Sequence, residues 1–281
     1  MILIADSGST KTTWMDVASG NKIVTEGLNP YFTSDEAFLA ACNAVRRHLH
    51  LSHLSPLTFH LHFYGAGCGL PAQREKVASW LAKAFGTSDI HVETDMLAAC
   101  RAVCGDRPGL VGILGTGSNA CLYDGQRITR QAFSTGYILG DHGSANHIGR
   151  LILHDCLANA IPPPLDERFA AFCTMTRQQL MDAVYRQPHP NRFLASLAPF
   201  VVKNSRFGYC YAMIAKSLEQ WYYYQLMPLK SASQCRELSV VGGFAAAIKT
   251  PLRHLAEDND LVIRKVVADP IDGLRRYHSK H

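Results

Sequence analysis

The sequence has no long block of Lys and Arg, so its charge does not point to a nucleic-acid partner. Its densest basic stretch, Arg275-Arg276-Tyr277-His278 with Lys280, reads as a solvated tail. No apolar run approaches the roughly 18–20 residues a membrane span requires, so no membrane segment is expected. The opening MILIADSGST carries Asp6, with Lys11 just after it, so a secretory leader is not expected. The nine cysteines are odd in number and lack the tight paired spacing of a zinc site. They read as small core residues of a protein in a reducing compartment, and the cytoplasm is the expected location. No Gly-Lys-Ser/Thr follows a glycine turn at P-loop spacing.

What is present suits a soluble globular chain. Of 281 residues, 47% are apolar and 18% charged, enough to bury a core in two medium domains or one large one. Met1–Ala5 is apolar and ends at Asp6; a polar turn, Ser7-Gly8-Ser9-Thr10-Lys11, leads into the strand-like Thr12–Val17. Ile23–Glu26 adds a third strand. Ser34–Leu51 is predicted helical, with Phe38, Ala41, Cys42, Val45 and Leu49 on one stripe and Ser34 or Asp35 at its start. Strands are predicted at Leu57–Tyr64, Ile90–Glu93 and Leu110–Leu114, helices at Ala72–Phe85 and Leu97–Val103. After Gly117 the pattern restarts with strands at Asn119–Tyr123 and Ile128–Ala132. A largely helical stretch runs from Gly143 to Leu226, and a strand, Leu238–Val241, precedes Gly242-Gly243. Leu261–Val267 is the last strand, and Asp269-Pro270 opens a short terminal helix. The restart divides the chain into lobes at 1–115 and 116–281, with the helix near 270–281 free to pack back on the first.

Three glycine turns follow apolar strands. In the first, Gly8 lets backbone N–H groups turn inward, and Ser9, Thr10 and Thr12 add hydroxyls, a cradle for an anion. Asp6 would repel a bare phosphate but suits a Mg²⁺ placed between them. A plain hairpin turn fits these residues equally well. The second turn is Gly115-Thr116-Gly117-Ser118-Asn119, and the third Gly242-Gly243-Phe244. Asp95 stands just after a strand, where α/β sheets present ligand-facing groups; it serves either as a proton acceptor or as the N-cap of the next helix.

Taken together the three turns match, in order, the phosphate-1, phosphate-2 and adenosine motifs of the actin/hexokinase/heat-shock-70 ATPase superfamily. Over essentially its whole length the chain resembles the BadF/BadG/BcrA/BcrD ATPase family, and within it the N-acetylglucosamine kinase-like members. Further carriers are Gly65-Ala66-Gly67, Thr94-Asp95, Gly136–Asp141, Gly143-Ser144-Ala145 and Asp269–Leu274. The resemblance implies a two-lobed actin-like (ribonuclease H-like) α/β fold with ATP in the cleft, and a homodimer. It implies ATP and Mg²⁺ as cofactors, with phosphate held by Ser7, Gly8, Ser9, Thr10, Lys11, Thr12, Gly115, Thr116, Gly117, Gly242 and Gly243. It also implies Asp6 at the metal, Asp95 as catalytic base, and sugar contacts from Asn29, Thr116, Gly117, Asn119, Asp141 and Thr135. Thr135 stands where many such sugar kinases carry a flat aromatic wall, and His142 where they carry Glu. The expected activity is phosphorylation of an amino sugar hydroxyl, N-acetylglucosamine to its 6-phosphate. The alternatives are an ATPase activating a 2-hydroxyacyl-CoA dehydratase-type partner and a non-catalytic sugar or nucleotide sensor.

Overall fold

The structure, a computed structural model, describes residues 1–51 and 59–280. It divides into two compact units. The first comprises residues 1–107, 125–127 and 269–281, and the second residues 108–124 and 128–268.

The first unit opens with a β-meander, β1 (Ile2–Ser7), β2 (Lys11–Asp16) and β3 (Lys22–Glu26). There follow α1 (Asp35–His48), β4 (His60–Gly65), α2 (Pro71–Phe85), β5 (Ile90–Thr94) and α3 (Asp95–Cys104). The strand expected from Leu57 runs from His60; Leu57 and Thr58 lie outside the described residues. The sheet order is β3-β2-β1-β4-β5. β1 pairs antiparallel with β2 and parallel with β4, which pairs parallel with β5. Alternation along the strands sends Leu3, Ala5, Leu61 and Phe63 into one core, where Phe38, Cys42 and Val45 of α1 and Val77 and Leu81 of α2 meet them. α1 starts as its sequence requires, with the Ser34 hydroxyl accepting the Ala37 N–H at 3.2 Å. α2 stops at Gly86, whose left-handed conformation (φ +70°) suits glycine.

The second unit contains β6 (Gly109–Leu114), β7 (Ser118–Tyr123), β8 (Ile128–Gln131), α4 (Gly136–Leu139), α5 (Ala145–Leu157), α6 (Leu165–Phe172) and α7 (Arg177–Tyr185). It continues with α8 (Pro190–Lys203), α9 (Gly208–Trp221), a π-helical turn (Tyr222–Leu226), α10 (Met227–Ser231), β9 (Glu237–Val241), α11 (Gly243–Ala247), α12 (Lys249–Asp258) and β10 (Val262–Val267). The last helix, α13 (Ile271–His278), belongs to the first unit. The second sheet runs β10-β9-β6-β7-β8. β6 therefore lies in the second unit, although a division at 115 assigns it to the first. The turn at Gly115–Gly117 closes an antiparallel hairpin between β6 and β7, and a hairpin keeps both strands in one sheet. Read from its first strand, this sheet repeats the first: two antiparallel neighbours on one side, two parallel ones on the other. Its core gathers Leu110, Leu114, Val240, Ile148, Leu197, Leu218 and Trp221. Among the described residues no helix is long and apolar enough to cross a membrane.

Candidate functional site

In the first unit the C-terminal ends of β1, β4 and β5 lie side by side, the edge at which such sheets bind ligands. Near the end of β1 sits Asp6, half-buried. Burial of its carboxyl, the largest cause, pushes its pKa up to about 8. The charges of Asp269 and Asp95 push the same way, and the Lys11 ammonium opposes them. Asp95 stands at the end of β5. It is not the N-cap of α3: Thr94 holds that place, its hydroxyl accepting the Leu97 N–H at 3.2 Å. One oxygen of Asp95 accepts the Met96 N–H at 2.9 Å. Burial raises its pKa to about 6, and the backbone hydrogen bonds hold it from rising further.

The turn after β1 is tied from within. Gly8 N–H donates to the Lys11 carbonyl at 2.9 Å. The hydroxyls of Ser7 and Thr12 lie 2.8 Å apart, and both residues are buried. Ser7 Oγ accepts the Leu28 N–H at 3.0 Å, and Thr12 Oγ1 donates to the Glu26 carbonyl at 2.9 Å. These two hydroxyls brace the turn from inside, while Ser9 and Thr10 form its tip. Lys11 Nζ makes an ion pair with Asp269 Oδ2 at 2.6 Å. The Ala66 N–H donates to the Ser7 carbonyl at 2.8 Å, which joins the Gly65–Gly67 turn to the first. Asn29 Oδ1 accepts the Tyr31 N–H at 3.0 Å, forming a local turn. The same oxygen lies 2.6 Å from where a Cβ on Gly67 (φ +86°) would sit, so Asn29 closes on this cluster.

The second unit gathers the other expected residues. Asp141 (φ +52°) reaches the Gly115–Gly117 turn. Its Oδ1 accepts the Ser118 N–H at 3.2 Å, and its Oδ2 accepts Asn146 Nδ2 at 2.9 Å. Asn146 Nδ2 also donates to the Thr116 carbonyl at 2.7 Å. A Cβ on Gly117 would lie 2.8 Å from Asp141 Oδ2, so glycine is what lets the carboxylate approach. Asp141 does not cap α5. Ser144 does, accepting the His147 N–H at 3.3 Å. Asn119 turns its Oδ1 to the Ala120 N–H at 2.8 Å. The third glycine turn joins the second: Gly242 (φ +135°) packs against the Leu114 carbonyl, and its N–H donates to Val267 at 2.8 Å. Thr135 stands apart, in an exposed segment beside Gly140. The His142 ring stacks on Tyr224 at 4.9 Å and meets His147 edge-on at 5.0 Å. Burial lowers the pKa of His142, and that of His147 to about 3, so both rings are neutral near pH 7.

Sequence reasoning placed Asp269 at a helix start and among the carriers of the family resemblance, but gave no site role to Asp269, Asn146 or Tyr224. For Asp269 a signal existed: it follows a strand and opens a helix, as Asp95 does. For Asn146 and Tyr224 there was none, because their partners are distant in sequence or lie in an unforeseen π-helical turn.

No protein-family model and no curated protein matches the chain. Solved structures do. A candidate N-acetylglucosamine kinase from Porphyromonas gingivalis is 32% identical with a TM-score of 0.92, and the match covers 100% of this chain and 99% of that one. A candidate N-acetylglucosamine kinase from Chromobacterium violaceum is 19% identical with a TM-score of 0.74, over 98% of each chain. A ROK family glucokinase from Streptomyces griseus, solved with glucose and AMPPNP, is 13% identical with a TM-score of 0.65, over 99% of this chain and 98% of that one. The last two likenesses show the shared fold. At 32% identity over 100% of this chain and 99% of that one, this chain belongs to the same family as the Porphyromonas gingivalis protein.

Proposed function

We propose that the chain is an ATP-dependent sugar kinase that transfers the γ-phosphoryl group to an amino sugar, N-acetylglucosamine at its 6-hydroxyl. Among the families it resembles, the N-acetylglucosamine kinase-like branch of the BadF/BadG/BcrA/BcrD ATPases fits this activity. The observation that carries the reading is the state of Asp95. Thr94 relieves it of capping, it stands at the ligand-binding end of the first sheet, and burial raises its pKa to about 6. A carboxylate poised near neutrality suits a group that accepts the proton of a sugar hydroxyl as the phosphoryl group arrives.

The remaining roles follow from what each group has to spare. Asp6 lies with Asp95 and Asp269 in a patch where carboxylate outweighs cation; burial is the main cause of its raised pKa, and the two neighbouring carboxylates add to it. Such a patch fits a divalent cation, which Asp6 would hold directly or through water. Among the described residues no group of three or more His, Cys, Asp or Glu side chains could hold a metal ion, so the fit is to Mg²⁺ carried largely by water and phosphate. When bound, Mg²⁺ neutralises phosphate oxygens during transfer. Phosphate binding belongs to the Ser9-Thr10 tip with Lys11, and to the turns at Gly115–Gly117 and Gly242-Gly243. Sugar recognition belongs to Asn29, Thr116, Asn119 and Asp141. The two units correspond to the two lobes of the superfamily.

The scattered, unpaired spacing of the nine cysteines in the sequence fits a reducing, cytoplasmic setting. The family resemblance adds a homodimer.

The test is ADP release with Mg·ATP against glucose, glucosamine, N-acetylglucosamine, N-acetylmannosamine and N-acetylmuramic acid. Release that depends on N-acetylglucosamine supports the proposal. ATP binding without any sugar dependence would transfer the case to a partner-activating ATPase or a sensor.

A further inference from the structure

The inference rests on the reading above in one respect, that the turn at 6–12 receives nucleotide phosphates. Its starting point is the ion pair between Lys11 and Asp269, 258 residues apart in sequence. The two partners are held very differently. Asp269 is fixed from behind: its Oδ1 accepts the Ile271 N–H at 3.1 Å, at the start of α13. That helix is itself pinned. Gly273 packs against Ala102 of α3, Arg275 donates to the carbonyls of Val17 and Ala18 at 2.8 and 3.0 Å, and His278 meets the Tyr64 hydroxyl at 2.8 Å. Asp269 Oδ2 faces Lys11 at 2.6 Å and the Thr13 hydroxyl at 3.5 Å. Lys11, by contrast, keeps 56% of its side chain exposed, against 29% for Asp269. A flexible ammonium stem can change partner, whereas a carboxylate locked to a docked helix cannot follow it.

We propose that Asp269 is a positioning residue for the nucleotide, holding Lys11 over the phosphate turn until a phosphate takes the ammonium, after which the released carboxylate adds to the site's demand for a cation. This has two consequences of opposite sign. Metal-free ATP must compete with Asp269 for Lys11 and is repelled by the carboxylate it displaces. Mg·ATP brings a cation that the released carboxylate favours.

The experiment is calorimetric titration of ATP into the full chain, once with EDTA and once with Mg²⁺. It compares the parent protein with Asp269→Asn, Lys11→Gln and the double variant. Asparagine keeps the acceptor for the Ile271 N–H, so α13 retains its start. Asp269→Asn is expected to bind metal-free ATP about twofold to fivefold more tightly, the scale of one exposed ion pair, and to gain correspondingly less from Mg²⁺. Lys11→Gln is expected to weaken binding in both conditions and to remove most of the tightening caused by Asp269→Asn. Equal weakening of Asp269→Asn with and without Mg²⁺ would reduce Asp269 to a fold support and overturn the proposal. Undiminished tightening in the Lys11→Gln background would overturn the exchange through Lys11. A parent protein that binds nucleotide yet phosphorylates no sugar removes the kinase reading and leaves this inference standing. One that binds no nucleotide removes both.

Discussion

The two units share one sheet connectivity and treat negative charge in opposite ways. In the first, Asp6, Asp95 and Asp269 converge on the ends of parallel strands with Lys11 as the nearby cation, and two of the three carboxyls have raised pKa values. In the second, Asp141 spends both oxygens on Ser118 and Asn146. A carboxylate held by one donor on each oxygen is fixed in orientation and still has lone pairs for a ligand, so it helps fix the shape of a surface. A cluster left short of counter-charge stores a demand that a cation or a proton can meet. The difference teaches that the same connectivity, used twice, can yield one unit suited to charge chemistry and one suited to shape.

The sharpest way to break this contrast is Asp95→Asn. With the proposed base gone, kcat is expected to fall by about 10²–10⁴-fold while ATP binding stays close to that of the parent. Coupled ADP release and calorimetry measure the two effects; near-normal turnover would remove Asp95 from the mechanism. Asp141→Ala tests the other unit. It removes the acceptor of the Ser118 N–H and one of the two acceptors of Asn146 Nδ2, so the sugar KM is expected to rise about tenfold or more with little change in nucleotide affinity. A loss confined to nucleotide affinity would reverse the assignment of the units.

Gly242→Ala is a stability probe of how the second and third turns join. It forces a side chain into positive φ against the Leu114 carbonyl, at a cost of about 1–3 kcal/mol, read as a lower melting temperature. An unchanged melting temperature would mean that the turns do not depend on this contact.

The smallest effect concerns pH. The raised pKa of Asp6 means that the folded chain keeps a proton which the unfolded chain has lost. Its contribution to stability is therefore greatest below pH 3.8, the value of the unfolded carboxyl, and declines as pH rises toward about 8. Asp6→Asn should remove this decline, raising the melting temperature more at pH 8 than at pH 4.5, and added Mg²⁺ should flatten the parent's slope. A parallel pH slope in parent and variant would show that Asp6 is not the source. For turnover the sign is reversed: activity should fall as pH drops through about 6, where Asp95 takes up its proton.

Most secondary structure was legible because its causes are local. The Phe38–Cys42–Val45 stripe, Ser34 at a helix start and the polar turn after Ala5 each act over a few residues. The three glycine turns were visible for the same reason, and so was Asp95 as a group at a strand end. By itself the sequence determined an α/β chain with a restarted strand pattern and phosphate-type turns.

It did not determine what the side chains in those turns face. Thr12 reads as a hydroxyl of the anion cradle and the resemblance adds Ser7 to it, but the close approach of residues 26–28 draws both hydroxyls inward. Asp95 reads as a proton acceptor or a helix cap, and Asp141 likewise stands where it could cap the helix that follows. Only the folded chain gave those places to Thr94 and Ser144, leaving one carboxylate with spare capacity and the other clasped by Asn146. The placement of Asp269 beside Lys11, 258 residues away, was likewise a tertiary decision. The physical reason is common to all of these. Propensity and periodicity act over one or two turns of chain, whereas the partner of a polar group is chosen by whichever element packing brings within about 3 Å of it.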